Sequence, residues 1–145
     1  TGLGNRAAFQ RDSAADASFG GALAYVMMDA NNLKVINDSM GHHRGDELLL
    51  QIAACLKRAL GQKMSGYRLG GDEFAVRLKD VSQLETEAFA EALRREIAAA
   101  DAQNELTISA AIGYAWTDCN PKDPEVLLHQ ADNAMYEIKK QMKKQ

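Results

Sequence analysis

The stretch that most constrains the fold runs over residues 67–78 and reads YRLGGDEFAVRL. Two glycines and two acids interrupt a pair of strand-like runs. Gly70 and Gly71 can take backbone angles closed to other residues, so the pattern predicts a tight β-hairpin with Asp72 and Glu73 at or just after its turn. Two carboxylates beside a bare backbone suit a hard cation and the phosphates that it carries. Taken alone, the hairpin could equally be a solvated Gly-Asp turn.

A second acid follows an apolar run earlier in the chain. The run from Ala22 to Met28 ends abruptly at Asp29. A strand that ends in a carboxylate can present it at the edge of a sheet, where a ligand can reach it. If this strand neighbours the hairpin, Asp29 and Asp72 converge, and such a pair is a minimal site for one or two divalent ions. The alternative is that Asp29 caps the helix that follows.

These acids belong to a set of ordered blocks that covers nearly the whole chain. The blocks are TGLGNR at 1–6 with Phe9, Asp29 to Lys34, Ile36 to Asp38, Gly41-His42, Gly45-Asp46, Gly70 to Phe74, Ser109 to Gly113, and Ala131-Asp132 with Ala134, Tyr136 and Lys139. Together they resemble the GGDEF domain, the diguanylate cyclase family that condenses two GTP into cyclic di-GMP. We therefore expect residues 1–145 to form one GGDEF domain. Since the chain starts at Thr1, we expect it to be a fragment of a longer signalling protein.

Length and composition agree with one domain. The 145 residues suffice for a single core, and 46% hydrophobic residues with two prolines argue against disorder. A net charge of −3 argues against a nucleic-acid coat or a membrane-surface protein. Cys55 and Cys119 lack metal-ligand spacing and fit a reducing compartment. With no signal peptide and no membrane-length apolar run, we expect a cytoplasmic domain without membrane contact, although the parent protein could be membrane-anchored.

Hydrophobic periodicity and turn residues predict the order of the elements. Helices are predicted over 5–18, 32–39, 44–60, 82–100 and 124–143, and strands over 22–28, 64–69, 73–79 and 105–115, with a turn marked by Pro121 and Pro124. Strands separated by helices, with one hairpin among them, indicate an α/β fold. We expect a central, mostly antiparallel five-stranded sheet surrounded by helices, similar to the palm of nucleotide polymerases and nucleotidyl cyclases.

The resemblance implies a metal site. Asp29, Asp72 and the main-chain carbonyl of Ala30 stand where the family binds Mg²⁺, for which Mn²⁺ is an alternative. Asp72 also stands where the family places the carboxylate implicated in activating a 3′-hydroxyl. We expect Asp72 to be the catalytic base, with Glu73 as the second candidate and a possible further metal ligand. Because a free carboxylate is a weak base, we expect the metal to lower the pKa of the hydroxyl.

A guanine pocket is implied by Asn37 and Asp46, which lie on either side of the helix break at Gly41. A carboxylate can accept from guanine N1–H and the exocyclic amine, and adenine offers no such pair. In the family these two positions bind guanine, and we expect His42 at the pocket rim as a hydrogen-bonding residue. Without the resemblance, Asn37 would be interpreted as a helix C-cap and Asp46 as a first-turn acid favoured by the helix dipole.

Triphosphate binding requires positive charge. In the family, lysines at the positions of Lys34 and Lys139 contact phosphates, and an arginine usually stands at the position of Lys143. Lysine keeps the charge there but loses the two-pronged geometry. Lys139 and Lys143 are four residues apart and share a helix face. The alternative is a solvated basic tail.

Two further expectations concern regulation and assembly. Residues 61–64 read GQKM where many members carry the Arg-x-x-Asp site for inhibition by product, so we predict no inhibition through that site. One domain holds one GTP, so we expect a homodimer with two antiparallel copies, held by an upstream sensor or dimerisation domain. The alternative function is a non-catalytic GTP-binding regulatory module, but the intact motif residues favour catalysis.

Overall fold

The helices and strands of the fold follow one another in the order that the sequence predicts. The computed structural model describes residues 2–118 and 123–143, and Cys119 and Pro121 lie outside them. In chain order the elements are α1 (Arg6–Ala15), a 3₁₀ turn (Asp16–Ser18), β1 (Leu23–Ala30), α2 (Leu33–Met40), α3 (His42–Ala59), β2 (Met64–Gly70), β3 (Glu73–Lys79), α4 (Gln83–Gln103), β4 (Ala110–Thr117) and α5 (Pro124–Lys143). Across these described ranges, no helix is both long enough and apolar enough to span a bilayer.

The four strands form one antiparallel sheet in the order β2-β3-β1-β4. Strand β1 lies inside the sheet, so its last residues are flanked on both sides. Asp29 is paired with Glu73 of β3 and with Ala111 of β4. The hairpin and β1 are therefore neighbours, and the turn of the hairpin lies beside the end of β1.

The α/β class and the helix-flanked antiparallel sheet are confirmed, but the count of five strands is wrong for the described residues. The N-terminal segment contributes only an isolated parallel bridge, Gly4 to Tyr67, beside β2. The strand predicted over 105–115 begins at Ala110. Its alternating residues Leu106 and Ile108 are buried in the core, but the N–H of Ile108 donates to Asp101 Oδ1 at 2.8 Å. That segment is thus attached to the end of α4.

Alternating residues of β1 supply the two faces of the core. One face, which includes Ala24, Val26 and Met28, packs with buried residues of α3 and α4. The other face, which includes Leu23 and Met27, packs with buried residues of α1 and α5. Asp29 continues the second alternation, which explains why its carboxylate meets α5.

A buried ionic cluster fixes α1 and the 3₁₀ turn to the sheet. The Arg77 guanidinium donates to both carboxylate oxygens of Asp16, with Nε at 2.8 Å from Oδ2. The Tyr25 hydroxyl donates to the same Asp16 Oδ2 at 2.7 Å. Arg77 also donates to the Tyr67 hydroxyl at 2.9 Å, and Tyr67 in turn donates to Asp12 at 2.7 Å. Because each buried charge is paired and hydrogen-bonded, the cost of its burial is offset.

Candidate active site

The ends of β1 and of the hairpin bring two acids together. The N–H of Ala30 donates to the main-chain oxygen of Asp72 at 2.8 Å, and the Asp72 carboxylate is near enough to Asp29 to raise its pKa. Burial raises the pKa of Asp29 to about 6, against the lowering effect of Lys139, and the Asp72 carboxylate adds to the rise. Asp29 does not cap the next helix, because Asn32 occupies the N-cap position of α2.

One oxygen of Asp29 is paired and the other is not. Oδ2 lies 2.8 Å from Lys139 Nζ, whereas Oδ1 is buried and accepts no hydrogen bond. A buried, unpaired carboxylate oxygen is costly, and a cation would remove that cost. The oxygen-only donors at this position suit a hard cation such as Mg²⁺, which keeps several waters or phosphate oxygens beside one or two carboxylates. Within residues 2–118 and 123–143, no three acid, histidine or cysteine side chains converge on a metal position.

Among the described residues, no atoms pack against the side of the hairpin turn where its two glycines would carry a Cβ. Gly70 has a φ of 137° and Gly71 a φ of 52°, and nothing lies within 4 Å of where a Cβ would stand on either. Both angles favour glycine, so the turn depends on this pair. The open space around the turn lets a ligand approach the main chain, as the sequence predicts.

Two arginines that the sequence reasoning missed hold the hairpin turn. Arg6 Nε donates to the carbonyl of Leu69 at 3.0 Å, and Arg68 Nη2 donates to the carbonyl of Gly71 at 2.8 Å. Arg6 stands inside the block at residues 1–6 and Arg68 lies two residues before the block at 70–74, but no spacing or periodicity links either arginine to a turn. Only the contacts reveal this positioning role.

Glu73 is not a third member of the Asp29–Asp72 carboxylate pair. Its side chain lines a cavity of about 300 Å³ under α5, shared with Arg6, Met27 and Asp132 among others. Glu73 is directly opposite Asp29 in the ladder. It nevertheless does not form a three-carboxylate group with Asp29 and Asp72. Its proposed role as second base or metal ligand remains a prediction.

The predicted guanine residues flank the break between α2 and α3. Gly41, with a φ of 92°, separates the helices, and its N–H donates to the carbonyl of Asn37 at 3.0 Å. Asn37 lies within α2 with its Oδ1 buried and unpaired. Asp46 is exposed on α3, beyond the first turn, and His42 is exposed at the start of that helix. Neither the C-cap nor the first-turn interpretation describes these side chains, because Gly41 is the C-cap of α2 and the first turn of α3 contains no acid.

Two of the three predicted phosphate residues, Lys139 and Lys143, border a small polar cavity. This cavity, of about 250 Å³, is lined by Asn31, Asn32, Ser109, Lys139, Met142 and Lys143. Lys34 does not line it and lies exposed in the first turn of α2. Asn31, which stands where many family members have an acid, donates its amide to Ser109 Oγ at 2.9 Å. The Asn31–Ser109 pair was also missed, since nothing in the local pattern joins residues so far apart in the chain.

Comparison with known proteins identifies the family. The family model described as "Diguanylate cyclase, GGDEF domain" matches residues 1–145. Diguanylate cyclase DgcN of Escherichia coli is 39% identical over 150 residues, covering 97% of this chain and 36% of DgcN. This chain spans well under half the length of the curated relatives that it matches.

Solved structures agree with that match. The GGDEF domain of YfiN from Pseudomonas aeruginosa has a TM-score of 0.81 at 32% identity, covering 97% of this chain and 92% of that one. The GGDEF domain of DgcB from Caulobacter crescentus, solved in complex with c-di-GMP, has a TM-score of 0.84 at 25% identity, covering 97% of this chain and 87% of that one. The sheet, the glycine hairpin and these matches together show that the chain belongs to the GGDEF family of diguanylate cyclase domains.

Proposed function

We propose that this domain is a diguanylate cyclase that condenses two GTP into one cyclic di-GMP and two pyrophosphates. The observation that carries the proposal is the buried, unpaired Oδ1 of Asp29 beside Asp72 and a bare glycine turn. The family match supports it, as do a relative named as a diguanylate cyclase and a similar structure solved with c-di-GMP.

The reaction consists of two equivalent phosphoryl transfers. In each, the 3′-oxygen of one GTP forms a bond to the α-phosphorus of the other, and the bond from that phosphorus to the bridging oxygen breaks. The hydroxyl proton is lost and pyrophosphate leaves. Catalysis of this kind depends on aligning the attacking and leaving oxygens and on neutralising charge.

The cation would be held by Asp29, Asp72 and the main-chain carbonyl of Ala30, with Mg²⁺ as the expected ion and Mn²⁺ as the alternative. When bound, it supplies positive charge to the phosphates and lowers the pKa of the attacking hydroxyl. Asp72, held by the hairpin, orients that hydroxyl and receives its proton, and Glu73 is the second candidate for this role. The glycine turn leaves the space in which the hydroxyl and phosphate can meet.

The other residues bind and orient the nucleotide. Lys139 lies against Asp29, which supports its proposed role in binding phosphate oxygens. Lys143 shares its cavity, and Lys34 lies on the first turn of α2. Asp46 would accept from the donor edge of guanine, with the Asn37 amide against the same base and His42 at the rim.

A second copy of the domain completes the reaction. Each copy supplies one GTP, so two copies must face each other in antiparallel orientation for both 3′-hydroxyls to attack. We propose that the chain is part of a longer signalling protein in which an upstream sensor or dimerisation domain brings the copies together. Neither nucleic acid nor a membrane is expected as a direct partner of this domain.

Incubation of the domain with GTP and Mg²⁺, followed by separation of the products, tests the proposal. The wild type and an Asp80→Asn control should form cyclic di-GMP, whereas Asp72→Asn should bind GTP without turnover. Asp80 is a suitable control because it is exposed at the far end of β3 and its described contacts are through the main chain. GTP that is bound but unchanged by the wild type at every protein concentration would refute catalysis and favour the regulatory module.

A further inference from the structure

Gly45 is a buried glycine in the first turn of α3. Glycine is less favourable than alanine inside a helix, and Gly45 is not among the residues with positive φ. The backbone therefore does not require glycine at this position. The reason for a glycine lies in what surrounds it.

The amide of Asn37 occupies the space that a side chain at position 45 would fill. A Cβ on Gly45 would lie 1.7 Å from Asn37 Oδ1, 2.8 Å from Asn37 Cγ and 3.1 Å from Leu33 Cδ1. The first two distances are shorter than any real Cβ contact. An alanine at this position would thus force the Asn37 amide to rotate away or the two helices to separate.

Separation of the helices is resisted by the contacts around Asn37. Its neighbour Ile36 is buried in the core. The Asn37 carbonyl accepts from the N–H of Gly41 at 3.0 Å, and the Gly41 carbonyl accepts from the N–H of Gly45 at 3.3 Å. Because the backbones of positions 37 and 45 are tied through Gly41, rotation of the Asn37 side chain is the easier response.

We propose that Gly45 is a specificity-determining position, because the absence of a side chain there seats the Asn37 amide against the guanine base. Gly45 is a positioning residue, since it acts through Asn37. It also lets Asn37 lie directly against the residue that precedes Asp46 on α3, which keeps the amide and the carboxylate near each other. The inference rests on the proposed function, in which these two side chains bind guanine.

A double-mutant cycle on the nucleotide-free protein tests whether Gly45 makes room for the Asn37 amide. Gly45→Ala should lower the melting temperature of the wild type. In an Asn37→Ala background the same substitution should lower the melting temperature much less, because the Asn37 amide is gone, only the 3.1 Å approach to Leu33 Cδ1 remains, and alanine favours the helix. Gly20→Ala is the matched control, since Gly20 is exposed with nothing within 4 Å of an added Cβ and should change neither background. If Gly45→Ala lowered the melting temperature equally in both backgrounds, the position of the Asn37 amide would not depend on Gly45.

Nucleotide binding tests the specificity. Calorimetry should measure the affinities for a non-hydrolysable GTP analogue and for the matching ATP analogue. The four proteins compared are the wild type, Gly45→Ala, Asn37→Ala and the double variant. Gly45→Ala should weaken GTP-analogue binding roughly tenfold, the value of one hydrogen bond, and leave ATP-analogue binding unchanged. In the Asn37→Ala background it should have no further effect. An unchanged ratio of the two affinities in Gly45→Ala would overturn the proposal and make Gly45 a packing residue only.

Failure of the proposed function is distinguishable from failure of this inference. The melting cycle uses no nucleotide and the calorimetry uses no turnover. A wild type that forms no cyclic di-GMP but prefers the GTP analogue in a Gly45-dependent manner would refute catalysis and support the seat.

Discussion

Lys139 Nζ lies 2.8 Å from Asp29 Oδ2, which joins the last helix to the end of the first strand at the candidate metal position. The two side chains are 20% and 15% exposed, so the pair is only weakly screened by solvent. Lysine thus neutralises one oxygen of the carboxylate and leaves the other for a cation.

Replacing Lys139 by alanine should weaken GTP binding, since the proposed phosphate contact and the partner of Asp29 are lost together. A hydrogen bond to a charged group contributes about 1.5–3 kcal/mol, so we expect a loss of roughly ten- to a hundredfold in affinity. Calorimetry with a non-hydrolysable GTP analogue measures it. Lys140→Ala is the control, because Lys140 is exposed and contacts Glu137 and the Tyr136 ring. Equal losses in both variants would mean that only the net charge of α5 matters.

Gly113→Ala should disturb the site from a distance by moving α5. A Cβ on Gly113 would lie 2.1 Å from the main-chain nitrogen of Met135, one helical turn before Lys139. Since the obstacle is backbone, the helix must shift, at a cost of about 1–3 kcal/mol in the free energy of unfolding.

For Gly113→Ala, both the free energy of unfolding in urea and the affinity for the GTP analogue should fall. Gly20→Ala should change neither quantity. A less stable Gly113→Ala protein that binds the analogue as tightly as the wild type would show that the position of α5 does not govern the site.

Stability should fall in alkali because of the buried ionic cluster. Burial, and then the hydrogen bond and charge of Asp16, raise the pKa of Tyr25 far above its usual value. In the unfolded chain a tyrosine loses its proton near pH 10, while folded Tyr25 keeps it. The unfolded state therefore binds fewer protons, so the stabilisation is fully present below about pH 10 and is lost as the pH rises further.

Urea unfolding between pH 8 and 11 measures this dependence. Tyr25→Phe should be less stable at pH 8 by about 1 kcal/mol, because Asp16 loses a donor, and should lose less stability in alkali than the wild type. Tyr136→Phe is the control, since Tyr136 is 56% exposed. An alkaline slope as steep in Tyr25→Phe as in the wild type would contradict the role of this cluster.

Turnover per domain should rise steeply with domain concentration, since the proposed mechanism requires two copies to meet. Cyclic di-GMP formation measured over a wide range of protein concentrations, at saturating GTP, checks this. A total rate that is strictly linear in protein concentration throughout would contradict a transient dimer.

Local patterns predicted most of the fold. The hairpin was predicted over 64–69 and 73–79 and is found at Met64–Gly70 and Glu73–Lys79, because two strand-like runs around a glycine pair allow few alternatives. The last helix was predicted over 124–143 and is found at Pro124–Lys143. The fifth strand was expected from the family resemblance and was assigned to no segment of the sequence, and the described residues form four strands. The strand predicted over 105–115 begins only at Ala110, because the Ile108 N–H before it donates to the Asp101 side chain.

Contacts between distant residues were beyond sequence reasoning. The Asp16–Arg77 pair joins residues 61 positions apart, and neither residue stands in a pattern that indicates burial. The predicted acids Asp29 and Asp72 do lie together, but the ion pair of Asp29 with Lys139 and the collision of a Gly45 side chain with Asn37 depend on how helices pack. Periodicity shows which face of a helix is buried, not which atoms meet there.

The proposed function depends most on a cation shared by Asp29 and Asp72. Anomalous diffraction from crystals of the domain grown with Mn²⁺ and a non-hydrolysable GTP analogue tests this directly. We predict one or two Mn²⁺ peaks at about 2.0–2.3 Å from the carboxylate oxygens of both residues and beside the phosphates. Bound analogue with its Mn²⁺ away from both carboxylates would contradict the account.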